Sequence, residues 1–142
     1  MKESDFIEDG IDSEIPSVKE LLQYLNSSED FMRWRAAKAL GIMNIKEAIP
    51  NLIKKLETDK SWGVRMNAAE ALGMLEAKEA IPVLIEALLK DEDEQVREIS
   101  ANALGNFNEK SIKKALKEAL NDECEDVKLA AKKILESYDG SD

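Results

Sequence analysis

The sequence has no histidine and a single cysteine among its 142 residues. Without histidine it lacks the commonest general base, the usual metal ligand and every Ser–His or Cys–His nucleophile pair. A lone Cys124 excludes an intrachain disulfide framework and fits a reducing compartment, so a cytoplasmic location is expected. We therefore predict no catalytic residue, no cofactor and no metal site, and we expect that the protein is not an enzyme.

Long apolar segments and positive charge are also scarce. The longest apolar stretch, near residues 81–89, is interrupted by Pro82 and Glu86 and is too short to cross a bilayer. A charged and then apolar leader is absent, so no signal peptide is expected. With 30 acidic and 20 basic residues the net charge is −10, which disfavours nonspecific binding to nucleic acid. The expected partner is a protein or peptide, with no nucleic acid and no membrane.

One sequence pattern recurs along the chain at a spacing of 32 residues. It occupies residues 33–41, 64–73 and 96–105, and a weaker copy covers residues 127–135. Self-similarity at a fixed period indicates a stacked-repeat solenoid, in which each unit contacts only its neighbours. Only 5% of the residues are aromatic, which suits thin helix pairs packed closely.

Each repeat is predicted to contain two amphipathic helices, termed A and B. Apolar residues between Val64 and Leu75 recur at helical spacing, and a B helix follows with Pro82 in its first turn. The pattern predicts about eight helices in the order B0, A1, B1, A2, B2, A3, B3 and A4. Leu72 and Leu104 should be buried, whereas Gly73 is either a helix terminator or a close-packing position.

The composition divides the chain into three predicted parts. Residues 1–13 form an acidic N-terminal segment, residues 14–138 a single repeat domain, and residues 139–142 a C-terminal tail. Residues 1–14 hold six acids and one lysine, which is half of the net charge. Two interpretations of this segment stay open, a flexible lead-in and a degenerate first A helix.

The repeated residues resemble a known family. Three copies keep Ala-Leu-Gly at one spacing and two keep Glu-Ala-Ile-Pro, at residues 39–41, 71–73, 103–105, 47–50 and 79–82. This pattern is similar to the short HEAT-like repeat of phycobilin lyase subunits and related proteins. The resemblance implies an all-α, right-handed solenoid of HEAT-like hairpins. HEAT-like deoxyhypusine hydroxylases hold iron through His-Glu pairs, so the absence of histidine excludes that activity.

The resemblance also implies a ladder of ion pairs between stacked repeats. In the family an aspartate in the inter-repeat loop precedes an arginine by six residues. The matching pairs here are Asp59 with Arg65, Asp91 with Arg97, and Asp122 with Lys128, while Ser27 replaces the acid before Arg33. We expect Asp91 to lie near Arg97 or near the arginine of an adjacent repeat. An acid at a helix N-terminus also meets the positive end of the helix dipole.

The exposed face of the B helices is the predicted binding surface, and in HEAT stacks these helices line the concave side. The predicted partner-binding residues are Lys54, Lys55, Val83, Ala87, Lys113, Lys114, Lys117 and Trp62. Lysines around a less charged centre favour an acidic segment with an apolar anchor, and residues 1–14 are one candidate occupant. The function predicted is a protein-binding scaffold, and the alternative is an accessory subunit of a phycobilin-lyase-type enzyme.

Two simpler possibilities also stay open. The lysine face is also typical of an ordinary solvated helix surface. Trp34 and Trp62 occupy positions at which other repeats have different residues, so they either bind a partner or pack on a neighbouring segment. A monomer or a weak homo-oligomer that hides the tryptophans is expected.

Overall fold

The computed structural model describes residues 15–138, and the predictions for residues 1–13 and 139–142 lie outside this range. The described part contains eight α-helices and no strand, which confirms the predicted all-α solenoid and its order of helices. The helices are α1 (Val18–Tyr24), α2 (Asp30–Ile42), α3 (Ile49–Thr58), α4 (Trp62–Met74), α5 (Ile81–Lys90), α6 (Glu94–Leu104), α7 (Lys110–Ala119) and α8 (Glu125–Ser137). The three predicted domain boundaries stay predictions.

The helices form two layers. The A helices α2, α4, α6 and α8 pack one on the next, and the B helices α3, α5 and α7 form the second layer. Each B helix also packs on the A helix that follows it in the chain, as α3 does on α4 and α5 on α6. This arrangement leaves one long face of each layer open to solvent.

Leucines at repeat-equivalent positions fill the space between the layers. Leu40, Leu72 and Leu104 of the A helices are fully buried, as predicted for the last two. Their counterparts on the B helices, Leu52, Leu84 and Leu116, are equally buried. Apolar burial stabilises the fold in proportion to the area removed from water, so these leucines form the core.

Tight reversals end α2 and α4. The N–H of Ile45 donates to the carbonyl oxygen of Leu40, and the N–H of Ala77 donates to that of Leu72. Asn44 and Glu76, with φ of 58° and 52°, adopt the left-handed conformation that this type of helix end requires. A short 3₁₀ turn follows in each case, and Pro50 or Pro82 lies in the first turn of the next B helix. Successive hairpins therefore turn back in the same way.

Glycine at the end of the Ala-Leu-Gly triplet serves close packing of the A helices. A Cβ on Gly41 would lie 2.8 Å from the Cα of Ala71, and one on Gly73 would lie 3.0 Å from the Cα of Ala103. Both glycines lie inside their helices and are not terminators. The alternative left open for Gly73 is thus resolved in favour of close approach between neighbouring A helices.

An arginine of each inner A helix pairs with the aspartate of the following repeat. Nε of the arginine lies 2.9 Å from Oδ2 of the aspartate in the pairs Arg33–Asp59, Arg65–Asp91 and Arg97–Asp122. The second guanidinium nitrogen contacts the other carboxylate oxygen at 3.1–3.2 Å. Both partners of each pair are at most 10% exposed at the side chain. Charge-assisted hydrogen bonds with this bidentate geometry are stronger than those between neutral groups.

The same guanidinium also reaches back within its own repeat. The third nitrogen donates to the carbonyl oxygen of the residue six positions earlier, which is Ser27, Asp59 or Asp91. Because the carboxylate partner comes from the next repeat, Arg33 keeps an ion pair although Ser27 replaced the acid before it. The replacement of the acid by Ser27 was expected to remove the first ion pair, or rung, of the ladder. That expectation is wrong, because Arg33 pairs with Asp59.

The ladder aspartates do not cap the A helices. Ser61 and Asp93 are the N-cap residues of α4 and α6, and their side chains accept helix N–H groups. Asp59 and Asp91 lie two residues earlier, and each accepts the N–H of the N-cap residue at 2.9 Å. Ser27 keeps this turn-forming role, since its Oγ accepts the N–H of Glu29. The aspartates thus order the loop and bind the arginine.

Replacing Gly73 by alanine should destabilise the protein by about 1 kcal/mol in urea unfolding. The new methyl group would meet backbone of α6 that cannot move aside, and overpacking costs about 1–3 kcal/mol against a gain of about 1 kcal/mol in helix propensity. Gly63→Ala is the control, because its Cβ would have nearest neighbours at 3.7 Å. Equal stability of the two variants would contradict the close approach of α4 and α6.

Asp91→Ala should destabilise the protein by about 3 kcal/mol, because it removes two hydrogen bonds from the buried guanidinium of Arg65 and leaves only the exposed Glu92, 4.0 Å away, as its ion-pair partner. Asp93→Ala, which removes only the N-cap of α6, should cost about 1 kcal/mol. Urea unfolding of both variants measures the difference. If both variants lose the same free energy of unfolding, Asp91 only shapes the turn and its ion pair with Arg65 adds no stability.

The ion pair between Arg97 and Asp122, which is the third rung of the ladder, should weaken in acid. Burial alone raises the pKa of Asp122, but hydrogen bonds and charge from Arg97 and the Cys124 N–H outweigh it, so this pKa lies below its ordinary value. A carboxyl group whose pKa is lower in the folded than in the unfolded state stabilises the fold at pH values above its unfolded-state pKa of about 4. This stabilisation is lost as the pH falls through the folded-state pKa. The stability difference between wild type and Asp122→Asn should shrink below about pH 4 in urea unfolding from pH 7 to pH 2.5. A difference that stays constant over this range would contradict an ionic rung.

Candidate functional site

Val83 and Ala87 lie in a cleft between α3 and α5 on the B layer. The cleft has a volume of about 360 Å³, and Leu56 contributes to its apolar floor. Val83 is half-buried and Ala87 is 7% exposed, so the apolar centre is shallow. The rim is charged and carries Glu57, Glu86, Lys90 and Asp91.

The predicted lysines lie on the helices on either side of α5 and do not line this cleft. On α3, Lys54 is exposed, while Lys55 is half-buried with its Nζ 3.9 Å from Oδ2 of Asp59. Lys55 thus adds a second cation to the first ladder aspartate. Its charge is partly committed to the fold.

The other lysine group lies on α7, which packs on α5. Lys114 and Lys117 are exposed and Lys113 is half-buried. Lys110 in the first turn of the same helix is also exposed, and the sequence reasoning missed it although it precedes Lys114 by one helical turn. Four lysines against one glutamate make α7 a basic helix in an acidic protein.

Trp62 lines a different cleft, between α2 and α4 on the A layer. Its volume is about 460 Å³, and Trp34, Met66 and Asn67 share its walls. Trp62 is 48% exposed and Trp34 is half-buried. Asp30, Lys38, Ser61, Gly63 and Glu70 complete the lining. The structure therefore brings the two tryptophans together, which the sequence reasoning did not predict, although each stands out in its repeat.

Trp34 and Trp62 share one cleft because their helices approach closely. A Cβ on Gly63 would lie 3.7 Å from Cδ1 of Trp34, so the indole of α2 rests beside the first turn of α4. The amide of Asn67 donates to the carbonyl oxygen of Gly63 at 2.8 Å and is held in place within α4. The cleft is thus built from ordered side chains on two helices.

The remaining chemical groups offer little for catalysis. Cys124 precedes α8, and a hydrogen bond to Glu94 raises the pKa of its thiol, in the direction expected for a thiol among carboxylates. Among residues 15–138 no group of three or more histidine, cysteine or acidic side chains is placed to hold a metal ion. The same residues include no helix with the length and apolar character needed to cross a membrane.

Comparison with known proteins identifies the repeat. A family model described as HEAT repeats matches residues 18–104 and 81–142. A chain in the complex of CpcE and CpcF of phycocyanin lyase from Nostoc sp. PCC7120 is 30% identical, with a TM-score of 0.70. The match covers 80% of this chain and 45% of that one, so this chain spans less than half of its neighbour.

An engineered protein shares the fold at 23% identity and a TM-score of 0.58, over 82% of this chain and 60% of that protein. None of the curated protein sequences matches this chain. The likeness to the engineered protein concerns the fold alone.

Proposed function

This chain belongs to the HEAT-repeat family, and we propose that it is a non-catalytic scaffold that binds a protein partner. The observation that supports this function most is that each layer presents an open cleft between two adjacent helices. The helix pairs, their buried leucines and their ion pairs form a frame that recurs from repeat to repeat, whereas the side chains that line the clefts differ. A rigid frame with variable surface positions is typical of repeat proteins that bind partners over an extended face.

The partner segment proposed for the B layer is acidic with an apolar anchor. The exposed lysines Lys114 and Lys117 supply positive charge, and Val83 and Ala87 supply a shallow apolar contact on the neighbouring helix. Charges of this kind raise the association rate and fall in effect with salt. Lys54, Lys55 and Lys113 extend the basic area on both sides of α5.

The carboxylates at the rim of the α3–α5 cleft constrain how such a segment binds. Glu57 and Glu86 would repel acidic side chains placed directly over the cleft. The acidic residues of the partner are therefore directed towards α7, and only its apolar residue enters the cleft. This polarity favours one orientation of the bound segment.

A second candidate is an accessory subunit of a lyase of the phycobilin type. The likeness to a chain of the CpcE and CpcF complex, 30% identical over 80% of this chain, favours it. Since that neighbour is about twice as long, the activity of the complex does not transfer to this chain as it stands. In either role we propose a cytoplasmic protein, monomeric or weakly self-associating, without affinity for nucleic acid or membranes.

Reversing two lysines of α7 to glutamate tests the proposed surface. The double variant Lys114→Glu/Lys117→Glu should bind the partner captured from native cell extract about tenfold more weakly, a loss of about 1.4 kcal/mol. The control is Lys132→Glu/Lys133→Glu on α8, which reverses two equally exposed lysines with the same change in net charge. Circular dichroism checks that both variants stay folded.

Equal losses in the two variants would mean that net charge alone matters. Unchanged binding by both would leave the lysine face as solvated surface. Titration at two salt concentrations separates charge-driven binding from apolar binding, because only the former weakens with ionic strength.

A further inference from the structure

The cleft between α2 and α4 contains both tryptophans of the chain. The repeat does not require them. Residues one repeat away from Trp62 are Asp30 and Glu94, and those following Trp34 at the same spacing are Met66 and Glu98. Since an acidic side chain occupies the position of Trp62 in both neighbouring repeats, the repeat fold does not depend on an indole there.

The apolar patch beside this cleft lies at the N-terminal ends of the first two A helices. Trp62, the first residue of α4, is 48% exposed, and Phe31, in the first turn of α2, is 40% exposed with the guanidinium of Arg35 5.0 Å from its ring centroid. The exposed Ile42 and Met74 lie at the opposite ends of these helices. The repeat equivalents in the third repeat are polar, since Gln95 on α6 takes the place of Phe31 and Asn106, just after α6, takes that of Met74. Tryptophan exposed within such a patch is typical of residues that dominate binding energy at interfaces.

The charge of the lining indicates the chemistry of the occupant. Asp30 and Glu70 are anionic and Lys38 is the one cation among the lining residues. The electron-rich faces of two indoles attract cations, and a guanidinium stacks on an indole while it forks to a carboxylate. The chain as a whole carries a net charge of −10, which further favours a cationic ligand.

We propose that this cleft binds a protein segment that presents an arginine beside a large apolar side chain. The guanidinium stacks on the exposed face of Trp62 and pairs with Asp30 or Glu70. The apolar neighbour packs on Trp34 and Met66, which form the less polar wall. This site lies on the A layer, and it does not depend on the acidic segment proposed for the B layer.

Intrinsic fluorescence reports on this cleft directly, because both tryptophans line it. The probe is a blocked amphipathic helical peptide of leucine and arginine, and the matched peptide carries glutamate in place of arginine. The arginine peptide should shift the emission and the two indole N–H signals in NMR spectra. Its binding should weaken with added salt, as expected for paired charges.

Variants identify the site of binding. Trp62→Ala should weaken binding of the arginine peptide about tenfold, within the range of truncated hot-spot residues. Its side chain is exposed, so the fold should be retained. Leu129→Ala on α8 is the control, since that leucine is 54% exposed outside the cleft and its loss should leave binding unchanged. Glu70→Gln should weaken binding less than Trp62→Ala and reduce the salt dependence.

Four results would overturn the proposal. The arginine peptide leaves the indole signals unchanged at millimolar concentration, or the glutamate peptide binds as tightly as the arginine peptide. A third result is that the Trp62→Ala and Leu129→Ala variants bind the arginine peptide with the same affinity. Binding would then reflect only attraction between the peptide and the net negative charge of the protein. A change of emission with protein concentration alone would equally contradict it, because a second copy would then occupy the cleft.

Discussion

The bidentate pair between an arginine and the aspartate of the next repeat is the interaction on which the stack depends. One guanidinium joins three points, its own helix, the carbonyl oxygen six residues earlier and the carboxylate of the following loop. A planar group with fixed donor directions tolerates little change in the distance or rotation between repeats. Because both partners are buried, removing one of them leaves the other with at most a more distant counter-charge, such as Lys55 at 3.9 Å from Asp59 or Glu92 at 4.0 Å from Arg65, so the loss of either partner is costly.

The glycines make this pairing possible. Gly41 on Ala71 and Gly73 on Ala103 let the A helices approach until backbone meets backbone. With larger residues in place of these glycines, neighbouring A helices would lie further apart. The arginine of one A helix would then no longer reach the aspartate in the loop before the next A helix. The ion pairs lie at one end of the A helices and the glycine contacts lie near the other end. Both therefore set the distance between neighbouring A helices.

A frame specified in this way leaves other positions free to vary. Asp30, Trp62 and Glu94 share one place in three successive repeats, yet the helices that carry them start in the same way. The chemistry of the surface is consequently decided repeat by repeat, with indoles between α2 and α4 and lysines along α7. If both proposals hold, the two layers bind segments of opposite charge, and the frame sets the distance between them.

The sequence by itself determined the period, the helices, their order and the buried leucines. These depend on local spacing, because a helix buries one face at 3.6-residue intervals and proline is tolerated in its first turn. The resemblance to HEAT-like repeats also implied that aspartate and arginine share one ladder. The direction of that pairing was decided only in three dimensions, since Arg33 reaches Asp59 across 26 residues. The same holds for the role of Gly73, which depends on what lies across the helix interface. Tertiary structure likewise brought Trp34 and Trp62 to one cleft, and it placed the predicted lysines of α3 and α7 outside the lining of the α3–α5 cleft. Such neighbours are set by the rise and rotation between repeats, and no periodicity within a single helix encodes those quantities.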